Sequence, residues 1–140
     1  MTMSEEEARS LVQSFLDALN ANDHEAALAL VSEDVAHDPF DGEREIGREK
    51  LRWRLGLKAR HFDERLADTT VMNAPGGVRA AAEFTVRGTY RATAEGLPEA
   101  AGQTYALPGG MFFEIDGGEI TRISEQRNPV QWNAALSVVG

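Results

Sequence analysis

Near His61 the spacing of apolar residues changes from helical to alternating, and this change limits what the chain can fold into. Upstream, Ala8, Leu11, Val12, Phe15, Leu16 and Leu19 form a stripe at helical period. Ser4 and Glu7 have the spacing of a capping box at its start. "NAND" interrupts, and Asn22 with Glu25 predicts a cap for a second helix, "HEAALALV". "SEDVAHDPF" leaves the helical pattern. Pro39 lacks an amide donor and biases Asp38 to extended backbone, so Asp38 is expected to end a short extended segment. Gly47 opens a third helix, with Ile46 and Leu51 spaced as a hydrophobic staple and Trp53 and Leu55 continuing it to about Gly56.

Downstream, "RLADTTVMNA", "GVRAAAEFTVRGTYRAT", "GQTYALPGGMFFEID" and "GEITRISEQR" each predict a strand, with "APGG" and "DGG" as turns between them. "NPVQW" restarts a helix, with Asn128 as cap and Pro129 at its first position. Three helices followed by hairpin-joined strands give an α+β class. The expected architecture is a cone-shaped, strongly curved antiparallel (mixed) sheet. Three N-terminal helices pack on its concave side and enclose a pocket. With 140 residues the chain is expected to be one domain, residues 1–140.

Composition removes several function classes. Fourteen basic against 23 acidic residues give a net charge of −9, which argues against nucleic acid and anionic membranes as partners. No stretch approaches the roughly 20 apolar residues needed to cross a bilayer, and the acidic "MTMSEEEARS" lacks a signal-peptide layout. The chain has no cysteine, which excludes disulfides, thiolate metal sites and a cysteine nucleophile and fits a cytoplasmic protein. His24, His37 and His61 show no metal-ligand spacing, and no phosphate-binding glycine loop is present, so neither a metal nor a cofactor is expected.

"HDPF", its charged loop and "GREKL" resemble the ketosteroid isomerases. "VRGTY", "GLPEAAGQTY" and "FFEIDGGEITRI" resemble the SnoaL-like polyketide cyclase branch of the same nuclear transport factor 2-like superfamily. The chain resembles the ketosteroid isomerase-related proteins, from about Glu5 to Arg127. That resemblance implies a cofactor-independent proton-transfer enzyme of isomerase, cyclase or dehydratase type, acting on a small, largely apolar molecule. Its catalytic aspartate falls on Asp38, which a dry cone would convert into a general base. In the isomerases a tyrosine and a protonated aspartate hold the enolate oxygen. Here those positions carry Phe15 and Gly110, so the isomerase's own oxyanion donors are absent.

The resemblance also places Glu83 and Thr85, with Arg87 on the same strand face, and Glu125 and Arg127 as pocket residues, alongside Phe15, Trp53 and Tyr90. Arg87 or Arg127 would hold a developing oxyanion, and Tyr90 or Tyr105 would supply a hydroxyl. A cluster of this kind is similar to the Asp-Arg-Asp site of limonene epoxide hydrolase, which keeps epoxide hydrolysis open. A non-catalytic small-molecule-binding or assembly module of the same fold is the other alternative. Read from the residues alone, Glu83 and Arg87 belong to a solvated sheet face, His37 faces solvent or a neighbouring subunit, and Asp41, Glu43 and Glu45 form a solvated loop. Ala80, Ala82, Phe84 and Val86 would then pair two subunits into a homodimer through the sheet if they face outward. The C-terminal "PVQWNAALSVV" would serve as a lid over the cone or pair subunits.

Overall fold

A computed structural model describes residues 4–137. Helix α1 (Glu5–Asn20) begins at the expected capping box, with Ser4 Oγ accepting from the Glu7 amide and Glu7 accepting in return from the Ser4 amide. Its stripe buries Ala8, Val12, Phe15 and Leu16. The short α2 (His24–Leu28) is capped by Asp23, which accepts from the Ala26 amide. Asn22, expected as this cap, instead makes the turn with a φ of 55°. Strand β1 (Val31–Asp38) and the two-residue β2 (Glu45–Ile46) flank the "HDPF" turn.

Helix α3 (Arg48–His61) runs past Gly56 to the start of the sheet, a full turn beyond its expected end. Ile46 is exposed beside the buried Leu51, so the staple is not packed. Strands β3 (Phe62–Asn73), β4 (Arg79–Tyr90), β5 (Thr104–Asp116) and β6 (Glu119–Arg127) follow, then α4 (Pro129–Leu136), capped by Asn128. Residues 138 and 139 of "PVQWNAALSVV" lie outside the described residues.

The six strands form one mixed, curved sheet in the order β2-β1-β6-β5-β4-β3. Only β1 and β6 run parallel; every other neighbouring pair is antiparallel. Its pairing is irregular in three places, one of them between Glu114 and Ile115 where β5 meets β6. In β3 the register shifts between Ala67 and Thr70, where Asp68 has a φ of 54°. In β1 the pairing shifts between Val31 and Ala36, and from Val35 onward alternate residues point inward.

The inner face of β4 is Ala80, Ala82, Phe84 and Val86, all buried, while Glu83 and Arg87 are exposed on the outer face. This corrects two expectations. Glu83 and Arg87 are not pocket residues, and the four apolar residues are core rather than a subunit contact. Helix α1 covers this face, with Phe15 meeting Phe113 edge-on at 6.0 Å. Burying the apolar side of a strand against a helix is worth about 25 cal/mol per Å², and that decides the side of β4 that turns in.

Candidate functional site

Between the concave sheet, α1, α3 and the 94–97 loop lies a cavity of about 660 Å³. Most of its wall is apolar: Phe15, Leu19, Leu51, Leu55, Leu66 and Ile123. The polar wall is built from two strands and a helix. In β3, Phe62, Glu64 and Leu66 share the inner face, and in β6 so do Ile123, Glu125 and Arg127. The last turn of α3 brings Lys58 over them.

Arg127 is the centre of this wall. Its side chain is fully buried, and it donates to both oxygens of Glu64 (2.8 and 3.1 Å) and to Glu125 Oε2 (3.0 Å). Phe40 and Trp132 lie against the guanidinium, with ring centroids 4.5 and 5.0 Å away. Lys58 Nζ joins the same two acids, at 2.8 Å from Glu64 Oε1 and 3.6 Å from Glu125 Oε2. The Tyr105 hydroxyl donates to Glu64 Oε2. Glu64 is therefore saturated with donors. Glu125 spends only Oε2 on these cations, and its Oε1 takes no hydrogen bond from the described side chains.

Two acids and two cations make this group neutral as a whole, and its parts are held in their charged forms. Burial pushes the Glu64 carboxyl up, but the Lys58 and Arg127 charges outweigh it and leave Glu64 well below the usual carboxylate range. Glu125 is lowered by the same balance. Burial opposes the Lys58 ammonium, and Glu125 and Glu64 more than offset it, so its pKa rises. Tyr105, buried beside an anion, is raised and stays a donor.

His37 completes the wall. It lies opposite Ile123 on β6 and is buried, and its Nδ1 has no hydrogen-bond partner. Burial lowers its pKa from 6.5 against the opposing pull of Glu125 and Glu45, so the imidazole is neutral at pH 7. The expectation is that it faces solvent or a neighbouring subunit, and the strand alternation after Val35 turns it inward instead.

Asp38, expected as the inward-facing general base, lies on the other side of β1. Its carboxylate is gripped by Arg44 (2.7 and 3.0 Å), with Arg122 at 3.8 Å. Arg44 holds its pKa below the usual range. It does not line the cavity. Arg122 continues to Glu114 (3.4 Å), and Glu114 to Arg79 (3.0 Å), so Asp38 belongs to a ladder of ion pairs across the outer face.

Of the other expected residues, Phe15 and Trp53 line the cavity, Trp53 at its mouth and 54% exposed with Lys50 Nζ over its ring. Tyr90 does not. It is fully buried, stacks on Phe62, donates to the Pro98 carbonyl and accepts from the Ala94 amide, which anchors the 94–97 loop. Lys58 and Glu64 were not singled out from the sequence. The period-two run Phe62, Glu64, Leu66 was the available signal for Glu64; Lys58 was hidden by ending α3 at Gly56. Among the described residues no group of His, Cys, Asp or Glu has a metal-holding arrangement, and no helix is long and apolar enough to cross a membrane.

A mixed, curved six-stranded sheet with helices packed on it is the fold of nuclear transport factor 2-like proteins. Within that class the chain belongs to the SnoaL-like domain family, whose model matches residues 12–123. It is similar to a protein from Xanthomonas campestris pv. campestris named provisionally as a polyketide cyclase. The identity is 44% and the TM-score 0.93, covering 95% of this chain and 98% of that one. A Pseudomonas putida KT2440 protein, named in the same provisional way, is 46% identical with a TM-score of 0.92, covering 96% of this chain and 99% of that one. A Mycobacterium tuberculosis epoxide hydrolase of the limonene-epoxide-hydrolase-like kind shares the fold, at 19% identity and a TM-score of 0.71 over 94% of this chain and 90% of that one. No curated protein sequence matches.

Proposed function

We propose that this chain is a cofactor-independent proton-transfer enzyme of isomerase or cyclase type, with His37 rather than Asp38 as the proton carrier. Its substrate would be a small, largely apolar, uncharged molecule with a carbonyl group. The observation that carries this is a buried imidazole with an unpartnered Nδ1 in the wall of an apolar cavity, beside a polar group whose charges already cancel. His37 would take a proton from carbon next to the carbonyl. The C–H pair becomes the enolate double bond as the carbonyl π pair moves to oxygen. In an isomerisation the imidazolium returns the proton to another carbon of the enolate, and in a cyclisation the enolate carbon bonds to a second carbonyl carbon and the proton goes to that carbonyl's oxygen. Glu125 stands ready for the imidazolium, and Lys58, the partly exposed cation of the wall, for the enolate oxygen. The provisional names of the 44% and 46% identical relatives agree with this chemistry.

The test is α-hydrogen exchange of a probe ketone, 2-tetralone, in D2O followed by NMR. The protein should accelerate exchange, H37Q should abolish the acceleration, and D38N should keep it within about twofold, since a surface ion pair contributes little. No acceleration across a panel of cyclic ketones, or H37Q equal to the parent, overturns the assignment. Binding of the ketones without exchange would instead identify a binding module.

Arg127 bridging Glu64 and Glu125 favours a second reading, epoxide hydrolysis. Such a reaction needs one carboxyl to hold a proton for the epoxide oxygen, and Lys58 between the two acids works against that. Styrene oxide in 18O-labelled water decides it through the presence or absence of labelled diol. The homodimer proposal moves to the outer sheet face, where Met72, Ala81 and Phe112 lie side by side on β3, β4 and β5.

A further inference from the structure

His37 and Glu45 face each other across the β1–β2 pair, eight residues apart in the chain and directly opposite in register. His37 Nδ1 is buried without a partner, and Glu45 Oε1 is 3.9 Å from it. Glu45 is itself fixed. Arg54 of α3 donates to both its oxygens, at 3.0 and 2.8 Å, and Lys50 lies 3.9 Å away. A buried nitrogen with no partner is costly unless something claims it, and here one anchored anion stands just beyond hydrogen-bond reach.

We propose that Glu45 is the positioning partner of His37, forming an imidazole–carboxylate dyad that holds Nδ1–H toward Glu45 and presents Nε2 to the cavity. This rests on the assignment of His37 as proton carrier and names the residue that sets its tautomer and orientation. The charged groups around the ring come from every element packed on it. Glu45 on β2 and Glu125 on β6 favour the imidazolium, while Arg54 and Lys58 on α3 oppose it. Arg54 thus has two effects: it keeps Glu45 in place and weakens its pull. When Nε2 takes the substrate proton, the gap to Glu45 closes into a charge-assisted hydrogen bond, and when the proton leaves it reopens.

Long-range 15N–1H correlation spectra of the wild-type protein test the tautomer directly, without a variant. The neutral ring should carry its proton on Nδ1. In E45Q the His37 titration midpoint should fall by about one unit, and the acid limb of the ketone-exchange profile should move with it. The exchange rate should fall while the dissociation constant of 2-tetralone stays within about twofold, and E45D should restore most of the rate. A proton on Nε2 in the wild-type protein, or an E45Q midpoint that does not move, overturns the dyad. The two proposals fail separately. Exchange that needs His37 and ignores Glu45 removes only the dyad. A correct tautomer and midpoint shift in a protein that exchanges no ketone removes only the proton-transfer function.

Discussion

Arg127 shows how much one side chain holds here. It is buried, paired with two acids and covered by Phe40 and Trp132. R127M leaves Glu64 and Glu125 buried with Lys58 as their only cation, and should cost roughly 3–5 kcal/mol in urea unfolding. Gly88 matters for the opposite reason. A Cβ there would lie 2.3 Å from the Tyr105 ring, which crosses it from the neighbouring strand to reach Glu64. G88A should therefore push Tyr105 aside and lose about 1–3 kcal/mol, with the Tyr105 ring signals shifting in the NMR spectrum. The pH dependence follows from the directions of the shifts. His37 titrates below 6.5 in the fold, so on acidification the unfolded chain takes that proton first. The stability it contributes is complete above about pH 6.5 and declines as pH falls toward the folded value. Glu64 and Glu125 add a second decline, since their contribution is present above 4.5 and is lost as pH falls through their lowered values. Unfolding measured at a series of pH values should show both, and H37Q should remove only the first.

At the scale of elements, α4 works as a cover anchored at both ends. Asn128 caps its start, and Gln103 donates to the Leu136 carbonyl at its end. Between them Trp132 packs on Phe40, Phe62 and Tyr105. W132A should cost about 3–5 kcal/mol and open Arg127 to water, which thermal unfolding and an increased rate of guanidinium proton exchange would report. Element by element, the sequence disclosed helices and strands well, because caps and periodicity are local. Ser4 with Glu7, Asn128 with Pro129, and the alternation along 80–87 all appear in the structure as the pattern implied. The facing of the site residues was harder to see. It depends on register, and a one-residue error turns every side chain over. Val35 is the inward residue of β1, and counting two from it reaches His37, not Asp38. The family position of Asp38 outweighed that local signal. Glu83 and Arg87 failed the same way, since the inward apolar set on β4 is Ala80, Ala82, Phe84 and Val86.

For the molecule as a whole, the curved sheet separates two kinds of charge. Inside, Lys58, Arg127, Glu64 and Glu125 cancel within a closed group. Outside, Arg44, Asp38, Arg122, Glu114 and Arg79 run as a ladder across β1, β6, β5 and β4, next to the exposed Phe112 and Met72. A second copy of the chain seated on this face would cover both aromatic and thioether. F112K should then convert a dimer to a monomer in sedimentation velocity runs while leaving ketone exchange within about twofold, because the two faces of the sheet share no side chains.

The irregular pairing near the start of β1 therefore does more than bend the sheet. It chooses which of two adjacent acid–base residues the hollow receives. Removing a single residue from that kink would turn Asp38 rather than His37 toward the hollow, exchanging an imidazole for a carboxylate without altering either one.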